Sequence, residues 1–367
     1  MTTPTEDEAT PRLATDLVAA GAPGAVVMVS DGRRVTQAAA GLADITTRRP
    51  MQPDLRFRAG SVTKTFVATV LLLLEAEGRL RLDDTVDRWL PGSLPYGDQV
   101  TIRQLLNHTG GVPNYPDSLW EALYTSPEAR YRAWKPHKLV GLVAGEPQLR
   151  VAGSAWRYSN VGYILAGLVM EAVSRSTLAA ELARLISEPL GLRDTFMPAA
   201  TDIPGRSARG YTVPLGRDGE PTDGRLVDFT VQDSSYAWAA GGIVSSMPDL
   251  LGFFRALLDG TLLSPAQRDQ MLDMVPVPTE ALPLPLYSAY GLGVVQVDSP
   301  GGPLIGTAGG IVGFLNMLLS TPDGGRLAGV MINVGDRAPA QVIETFLRAL
   351  GELGGVLHAG EPATVGR

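Results

Sequence analysis

The chain contains no cysteine, and this absence excludes disulfide bonds and thiolate metal sites. Histidine is nearly as scarce: His108, His137 and His358 stand far apart and form no metal-binding motif. The net charge is −7, and the arginines are scattered among acidic residues rather than gathered in a basic patch. The longest apolar run, within residues 66–74, is too short to span a bilayer. We therefore expect no metal, no cofactor, no nucleic-acid partner and no membrane span.

Composition is that of a folded protein, with 45% hydrophobic and 19% charged residues. Because 367 residues exceed one typical domain, we expect two lobes with a shared core. The first eight residues are polar and acidic, without the basic and apolar regions of a secretory leader. This predicts a cytoplasmic protein, or a secreted one if a leader has been removed. The sequence leaves the oligomeric state open.

Lysine is the third scarce residue, present only as Lys64, Lys135 and Lys138, whereas every other strong base is arginine. Arginine keeps its proton inside a protein, but a buried lysine can lose one. Lys64 follows Ser61 by three residues, in the order Ser-Val-Thr-Lys. Since residues three apart share one face of a helix, the hydroxyl and the amine can meet. The spacing indicates a serine nucleophile beside a proton acceptor.

The neighbouring sequence supports this interpretation. Residues 57–60 predict a short strand that enters a turn, and the apolar pattern over 65–77 predicts a helix that ends at Gly78. Ser61 then lies at or just before the helix start, where backbone N–H groups favour an oxyanion and a lowered lysine pKa. The alternative, open at this point, is that Ser61 is an N-cap and Lys64 a solvated residue.

A second cluster, Tyr158-Ser159-Asn160, occupies a predicted turn before the apolar run 161–170. A phenol beside a lysine ammonium can ionise, accept the serine proton and pass it to a leaving group. The amide of Asn160 can orient a substrate amide and the lysine together. Taken alone, the cluster is more typical of a turn with an aromatic plug.

Together these two clusters resemble the first two motifs of the penicillin-recognising serine enzymes, in the branch of the class C β-lactamases and the Streptomyces-type DD-carboxypeptidases. The resemblance extends over residues 12–350 and implies an α/β fold of the β-lactamase/DD-peptidase type. That fold has an antiparallel sheet flanked by helices and a mostly helical inserted lobe. Further stretches that follow the family's order are residues 21–25, 57–60, 77–83, 90–92, 101–111 and 241–246.

The pattern of predicted elements agrees with such a division and places the active site in the cleft between the lobes. The predicted parts are a disordered N-terminus (1–10), an α/β lobe (11–82 and 226–355), a helical lobe (83–225) and a tail (356–367). The predicted helices at the chain ends cover 9–20 and 338–350, and the predicted strands of the sheet cover 25–30, 34–40, 291–297, 304–307, 314–320 and 327–334.

The third family motif, a Lys or His followed by Thr or Ser and then Gly, is altered here. Thr307 takes the basic position, Ala308 the hydroxyl position and Gly309 the glycine position. The resemblance implies that the Gly310 N–H is the second oxyanion donor, beside the N–H of Ser61. We count Thr307, Gly309 and Gly310 among the substrate-binding residues.

Two positive charges are therefore missing: the basic residue at Thr307, and an arginine that follows the Tyr-Gly-Leu-Gly strand (290–293) in the DD-carboxypeptidases. A free carboxylate in a partly desolvated site needs paired positive charge or several donors. We hypothesise that the leaving group is not a terminal D-alanine carboxylate, and that an ester, a thioester or a neutral amide suits the site better. Arg206 or Arg209 from a nearby loop could restore the charge.

The predicted activity is two-step acyl transfer to a small-molecule or peptidyl acyl substrate, with an acyl-enzyme on Ser61. Lys64 and Tyr158 share the base role and Asn160 orients the acyl side. Hydrolysis, transacylation and peptide cyclisation in natural-product biosynthesis all stay open, as do D-alanyl-D-alanine carboxypeptidase or β-lactamase activity and a non-catalytic binding role. Outside these motifs, Tyr236 and Trp238 are predicted to wall the acyl pocket or to be core, and His108 to be structural.

Overall fold

The computed structural model describes residues 4–215, 225–281, 286–335 and 337–359. Within these ranges the helices are α1 Glu6–Ala19, α2 Thr63–Ala76, α3 Val86–Trp89, α4 Ile102–Leu106, α5 Asp117–Thr125, α6 Pro127–Arg130, α7 Pro136–Gly141, α8 Asn160–Ser174, α9 Leu178–Leu182, α10 Glu188–Leu190, α11 Trp238–Gly241, α12 Met247–Leu258, α13 Pro265–Met271 and α14 Ala340–His358. The strands are β1 Gly24–Ser30, β2 Val35–Asp44, β3 Arg49–Pro50, β4 Phe57–Arg58, β5 Tyr211–Thr212, β6 Val227–Asp228, β7 Val244–Ser245, β8 Val275–Pro276, β9 Ala289–Tyr290, β10 Val295–Ser299, β11 Gly302–Ile311, β12 Phe314–Ser320 and β13 Leu327–Ile332.

A nine-stranded antiparallel sheet joins the two ends of the chain in the order β3-β2-β1-β13-β12-β11-β10-β9-β8. β1 lies between β2 and β13, with Ala25 opposite Ile332. Every residue of β1 is buried because helices cover both faces of the sheet. Val26 and Met28 face the core that contains α2 and α12, whereas Val27 packs on the other side with α1 and α14. The predicted α/β architecture is confirmed.

Both ends of the chain are more ordered than the sequence suggested. The predicted disordered segment 1–10 is wrong for residues 6–10, which begin α1. A capping box stabilises this start, since the Thr5 N–H donates to the Glu8 carboxylate at 3.0 Å, and Glu6 pairs with Arg326 next to β13. At the other end α14 runs to His358 because its apolar face continues through Leu353 and Leu357, so the predicted tail at 356 begins too early. Residues 360–367 lie outside the described residues.

Helix α2 lies between the sheet and the mainly helical part of the chain. Its side chains are buried on nearly every side, which explains its almost uniformly apolar sequence. It contacts α8 and α11, and Phe66 stacks on Phe253 of α12 at 3.7 Å between ring centroids. The 3-10 turn Gly60–Val62 that precedes it abuts β11, so the sheet and the helical segment meet at the N-terminus of α2. The exact lobe boundaries stay a prediction.

No single helix within the described ranges is both long and apolar enough to cross a membrane. One pair of helices, Asn160–Ser174 and Leu178–Leu190, is together long and apolar enough by length and composition alone. The two helices meet at a bend of 80°.

Candidate active site

Three predicted side chains converge at the N-terminus of α2. Ser61 lies in a 3-10 turn, Gly60–Val62, that leads directly into the helix. One turn later, Lys64 places its Nζ 3.0 Å from Ser61 Oγ. From the segment before α8, the Tyr158 hydroxyl donates a hydrogen bond of 2.8 Å to the same Oγ. The structure thus brings the hydroxyl, the amine and the phenol into direct contact.

The surroundings of Lys64 favour a neutral amine. The side chain is 1% exposed, and burial lowers the pKa of Lys64 well below its usual value. Its Nζ lies 2.8 Å from Asn160 Oδ1 and 2.6 Å from the Ala240 carbonyl oxygen. A neutral amine has two N–H bonds and one lone pair. It can donate to both oxygens and accept the Ser61 O–H, so every polar bond of the group is satisfied.

The surroundings of Tyr158 favour the protonated phenol, not the ionised phenolate that a base requires. Burial raises the pKa of Tyr158, and the hydrogen bond to Ser61 offsets this only in part. Its ring also lies 4.8 Å from Lys64 Nζ. The geometry therefore favours a protonated phenol that donates to Ser61 Oγ. The arrangement separates two roles that the sequence left shared, with the amine suited to accept a proton and the phenol to give one.

Asn160 supports the amine from the first residue of α8. The helix start is fixed by Ser159, whose Oγ accepts the Gly162 N–H at 3.1 Å. Asn160 gives its backbone N–H to Asn114 Oδ1 at 3.0 Å, while its own Oδ1 faces Lys64. Asn160 also lines the cavity beside Ser61, where its amide can meet a substrate.

Ser61 opens into a cavity of about 500 Å³. Four aromatic side chains, Tyr115, Trp120, Tyr124 and Tyr236, form one side of it, and we call them the aromatic wall. The Tyr115 hydroxyl donates to the Tyr236 carbonyl at 2.9 Å, which ties two of these residues together. The remaining lining residues are Asn114, Tyr158, Asn160, Ala237, Ala240, Gly241, Gly310, Ile311 and Val312. Within the described ranges, the lining set contains no acidic or basic side chain, so the cavity suits a neutral, apolar group.

Sequence reasoning found Tyr236 but missed the rest of the aromatic wall. Tyr115, Trp120 and Tyr124 follow the Thr-Gly-Gly stretch at residues 109–111, in and before the short helix α5. Their concentration in a ten-residue stretch of a chain with only 6% aromatics was a usable signal.

Gly310 and Gly309 occupy different positions despite being neighbours. Gly310 lines the cavity opposite Ser61. Gly309 instead faces Ala59, where an added Cβ would overlap the Ala59 carbonyl oxygen. Asn316 Nδ2 donates to both carbonyls, of Ala59 at 3.2 Å and of Gly309 at 3.1 Å. The predicted substrate contact of Gly309 is corrected: this glycine allows β11 to approach the backbone just before the nucleophile.

Thr307 is likewise a core residue rather than a cavity residue. Its hydroxyl lies 2.8 Å from the Thr65 hydroxyl, which donates to the Gly293 carbonyl at 2.6 Å. Strand alternation points residue 307 toward α2, on the same face as Gly309. The short threonine side chain fills this position without lining the cavity, so its predicted substrate contact is corrected.

Trp238 is the third correction. Its indole packs over Gly167 of α8 and lines a separate cavity with Met197 and Asp233. α11 begins at Trp238 and directs this side chain away from Ser61, while the Ala240 carbonyl two residues later faces Lys64. The alternative interpretation of Trp238 as a packing residue fits the structure.

The two arginines that could have restored a positive charge are engaged elsewhere. Arg206 pairs with Asp54 at 3.0 Å, and Arg209 lies 3.7 Å from Asp228. Neither belongs to the cavity lining. They give no support to recognition of a substrate carboxylate beside Ser61.

The buried residue Arg58, whose role the sequence did not reveal, holds the segment that leads to Tyr236 at the inner cavity. Arg58 is fully buried, and burial lowers the pKa of Arg58. Its guanidinium donates to the carbonyls of Thr201 at 2.6 Å and Gln232 at 3.2 Å, and to Ser234 Oγ at 3.0 Å. The segment that leads to Tyr236 is thus fastened to the strand that leads to Ser61.

The cleft continues past Tyr158 into a second, outer cavity of about 730 Å³. The two cavities share Asn114, Tyr115 and Tyr158 as lining residues. Unlike the inner cavity, the outer one carries charged side chains of both signs, namely Asp117, Glu146, Arg150, Arg157 and Glu280. Tyr158 therefore marks the boundary between an apolar and a charged compartment.

Known proteins share both the sequence pattern and the fold. A family model described as Beta-lactamase matches residues 11–352. Penicillin-binding protein 4* of Bacillus subtilis is 29% identical over 81% of this chain, and the chain spans 64% of that relative, just under two thirds. Esterase EstB of Burkholderia gladioli is 33% identical over 67% of this chain and 70% of its own. The crystal structure of a D-stereospecific amidohydrolase from Streptomyces sp. superposes with a TM-score of 0.81 and 35% identity, covering 92% of this chain and 98% of that one.

Proposed function

The chain belongs to the beta-lactamase family, and from this premise we propose that it is a serine hydrolase that cleaves neutral carboxylic esters or amides through an acyl-enzyme on Ser61. The contact of Ser61 Oγ with both Lys64 Nζ, at 3.0 Å, and the Tyr158 hydroxyl, at 2.8 Å, carries this proposal. These distances allow one group to remove the serine proton and another to supply a proton, without rearrangement of the site.

In the acylation step the neutral Lys64 amine accepts the Ser61 proton while Oγ attacks the substrate carbonyl carbon. The resulting ammonium keeps its hydrogen bonds to Asn160 Oδ1 and the Ala240 carbonyl, which stabilise the new charge. The carbonyl oxygen becomes an oxyanion and receives the backbone N–H groups of Ser61 and Gly310, each worth about 3 kcal/mol.

In the second half of acylation, Tyr158 donates its proton to the leaving oxygen or nitrogen as that bond breaks. The proton held by Lys64 then restores the phenol, so that the net result is transfer from Ser61 to the leaving group. Water then attacks the acyl carbon and gives a proton to the same pair, and the pair returns that proton to Ser61 Oγ as the bond to the acyl group breaks and the acid is released. An amine in place of water would give transacylation by the same steps.

The cavities support a division of the substrate at Tyr158. The acyl portion occupies the apolar inner cavity against the aromatic wall. The leaving group extends toward the outer cavity, because Tyr158 borders both. The uncharged inner lining supports a neutral acyl group. The similarity to an esterase and to an amidohydrolase supports cleavage of an ester or an amide bond.

A fluorophosphonate probe tests the nucleophile, since it reacts covalently with an activated serine. We expect the wild-type protein to be labelled and Ser61→Ala to be silent. Ser154→Ala serves as the matched control, because this serine is exposed and donates only to the Val151 carbonyl. Labelling that persists in Ser61→Ala would refute the assignment.

A second candidate, DD-carboxypeptidase activity, is favoured by the similarity to penicillin-binding protein 4*. It requires recognition of the free carboxylate on the departing D-alanine, only one residue from the scissile bond. In the described part of the chain, the cationic side chains of the two cavities, Arg150 and Arg157, line the outer cavity and not the inner one that contains Ser61. We expect hydrolysis of a neutral arylacyl ester to exceed that of a D-Ala-D-Ala peptide by at least about 100-fold in kcat/KM, the scale set by an unpaired buried charge. Comparable rates on the two substrates would favour the carboxypeptidase instead.

A further inference from the structure

His108 accepts hydrogen bonds from the backbone N–H groups of both residues next to Tyr158. Its backbone carbonyl accepts the Arg157 N–H at 2.8 Å, and its ring Nδ1 accepts the Ser159 N–H at 3.2 Å. One residue thus fixes the chain immediately before and immediately after the catalytic phenol. Neither bond belongs to a helix or a strand. The first uses only the backbone carbonyl of residue 108, whereas the second depends on the imidazole.

The imidazole also packs on the phenol ring. The ring centroids of His108 and Tyr158 lie 4.4 Å apart, with 37° between their planes. On its other sides the imidazole contacts Trp156, Tyr163 and Tyr290, at 5.8, 5.3 and 4.7 Å between centroids. The ring of Tyr158 therefore packs against an imidazole that other aromatic rings hold in place.

The protonation state of His108 is set by its contacts. Because Nδ1 accepts a hydrogen bond, the ring proton resides on Nε2. Nε2 is buried and finds no hydrogen-bond partner among the described residues, which is unfavourable for a buried donor. Burial lowers the pKa of His108 well below its usual value, which preserves Nδ1 as an acceptor. The unpaired Nε2–H thus accompanies the tautomer in which Nδ1 accepts the Ser159 N–H.

The backbone of His108 carries a second cost. Its φ of +62° lies in the left-handed region, just after the end of α4. Glycine is the usual residue at such a position, and asparagine also adopts it readily. For the backbone alone a histidine here is less favourable than glycine, although it adopts this region more readily than most side chains.

We infer that His108 is a positioning residue for the reaction: by holding the chain on both sides of Tyr158, it aims the phenol at Ser61 Oγ and at the leaving group. This inference rests on the proposed function, because it requires Tyr158 to protonate the leaving group. His108 itself is not among the residues that line the inner cavity, and it is linked to Ser61 only through Tyr158.

The test compares two replacements that both suit the left-handed backbone. His108→Asn keeps an acceptor at the δ position, whereas His108→Gly removes it together with the ring. Each is assayed on a p-nitrophenyl ester, whose leaving group needs little protonation, and on the ethyl ester of the same acid, whose leaving group needs a proton. Fluorophosphonate titration of Ser61 gives the active fraction, so that misfolded protein does not count as lost activity.

We expect His108→Gly to lower kcat on the ethyl ester about 10- to 100-fold more than on the p-nitrophenyl ester, within the range of general acid catalysis. KM should change little, and His108→Asn should recover most of the loss. In a Tyr158→Phe background, His108→Gly should lower kcat on the ethyl ester by less than about 3-fold, since the phenol that it positions is already absent. If His108→Gly yields no folded protein, His108→Ser replaces it, because that hydroxyl is too short to reach the Ser159 N–H.

The outcomes distinguish failure of this inference from failure of the proposed function on which it rests. Equal losses on the two esters, additive losses with Tyr158→Phe, or failure of His108→Asn to rescue would overturn the positioning role. If Tyr158→Phe itself fails to discriminate between the two esters, the proposed role of Tyr158 fails as well.

Discussion

Gly309→Ala tests whether the close approach of β11 to the nucleophile segment builds the oxyanion site. The added methyl group would lie 2.9 Å from Asn316 Nδ2 and 3.1 Å from the Ala59 carbonyl carbon, and it would overlap the Ala59 oxygen. Ordinary contacts of a Cβ atom begin at 3.4 Å. β11 must therefore withdraw from Ala59, two residues before Ser61, by about 1 Å, a displacement that can cost roughly 100-fold in rate.

The expected effects follow from the contacts that this withdrawal strains. Overpacking a tight backbone contact costs about 1–3 kcal/mol. The two hydrogen bonds from Asn316 Nδ2, to Ala59 at 3.2 Å and to Gly309 at 3.1 Å, are weakened in addition, at about 1 kcal/mol each. The neighbouring Gly310 N–H moves away from the oxyanion, and loss of one such donor lowers kcat by about 10²–10³.

Gly310→Ala is the matched control, since it adds the same methyl group one residue further along. There the Cβ meets only Leu315 Cδ1, at 3.7 Å, and the N–H is retained. Urea unfolding should give a free energy of unfolding within about 1 kcal/mol of wild type for Gly310→Ala, the size of an ordinary surface change, and a loss of about 2–5 kcal/mol for Gly309→Ala. Steady-state kinetics on a neutral ester should show the larger loss of kcat for Gly309→Ala. Equal stability and equal kcat in the two variants would refute the argument.

Three further substitutions test other parts of the site. Arg58→Met leaves its buried acceptors without a donor and should lower the free energy of unfolding in urea by about 3 kcal/mol; an unchanged midpoint would contradict this. For Lys64, whose pKa burial lowers, kcat/KM of the wild type should rise with pH as the amine loses its proton and level off well below the pH at which an exposed lysine deprotonates. Lys64→Arg should abolish this rise and lower kcat/KM by about 10²–10⁴, and a surviving rise would exclude Lys64 as the base. Thr307→Val should leave KM for the ester unchanged while costing about 1 kcal/mol of stability, and a raised KM would return Thr307 to the substrate site.

The parts of the site that the sequence predicted are those that depend on local geometry. Ser61 and Lys64 meet because three residues make almost one helical turn, and Asn160 faces the same point because α8 begins there. Tyr158 precedes that helix start and needed only the family pattern to be placed. Strand periodicity likewise predicted β1 and most of the strands at the end of the chain.

The parts that the sequence missed depend on contacts across the fold. Arg58 finds its acceptors more than 140 residues away, mainly on backbone carbonyls that carry no sequence signature. The alternation of β11 decides that Gly310 faces the cavity while Thr307 and Gly309 face the core, and a motif alignment does not reveal that choice. The direction of Trp238 depends on how α11 enters from a 3-10 turn, which no local pattern specifies.

The pairing of β1 with β13 has a consequence for how the enzyme is made. Ala25 cannot pair with Ile332 until β13 has been synthesised, and Ser61 cannot meet Gly310 until β11 has been synthesised. Neither the β1–β13 pairing nor the oxyanion pocket therefore forms before these strands leave the ribosome. A chain arrested before β11 would present an unpaired, mostly apolar edge of β1 to its neighbours. Catalytic competence therefore requires synthesis to pass β11 and β13, and any recovered activity of this protein reports on chains that contain both strands.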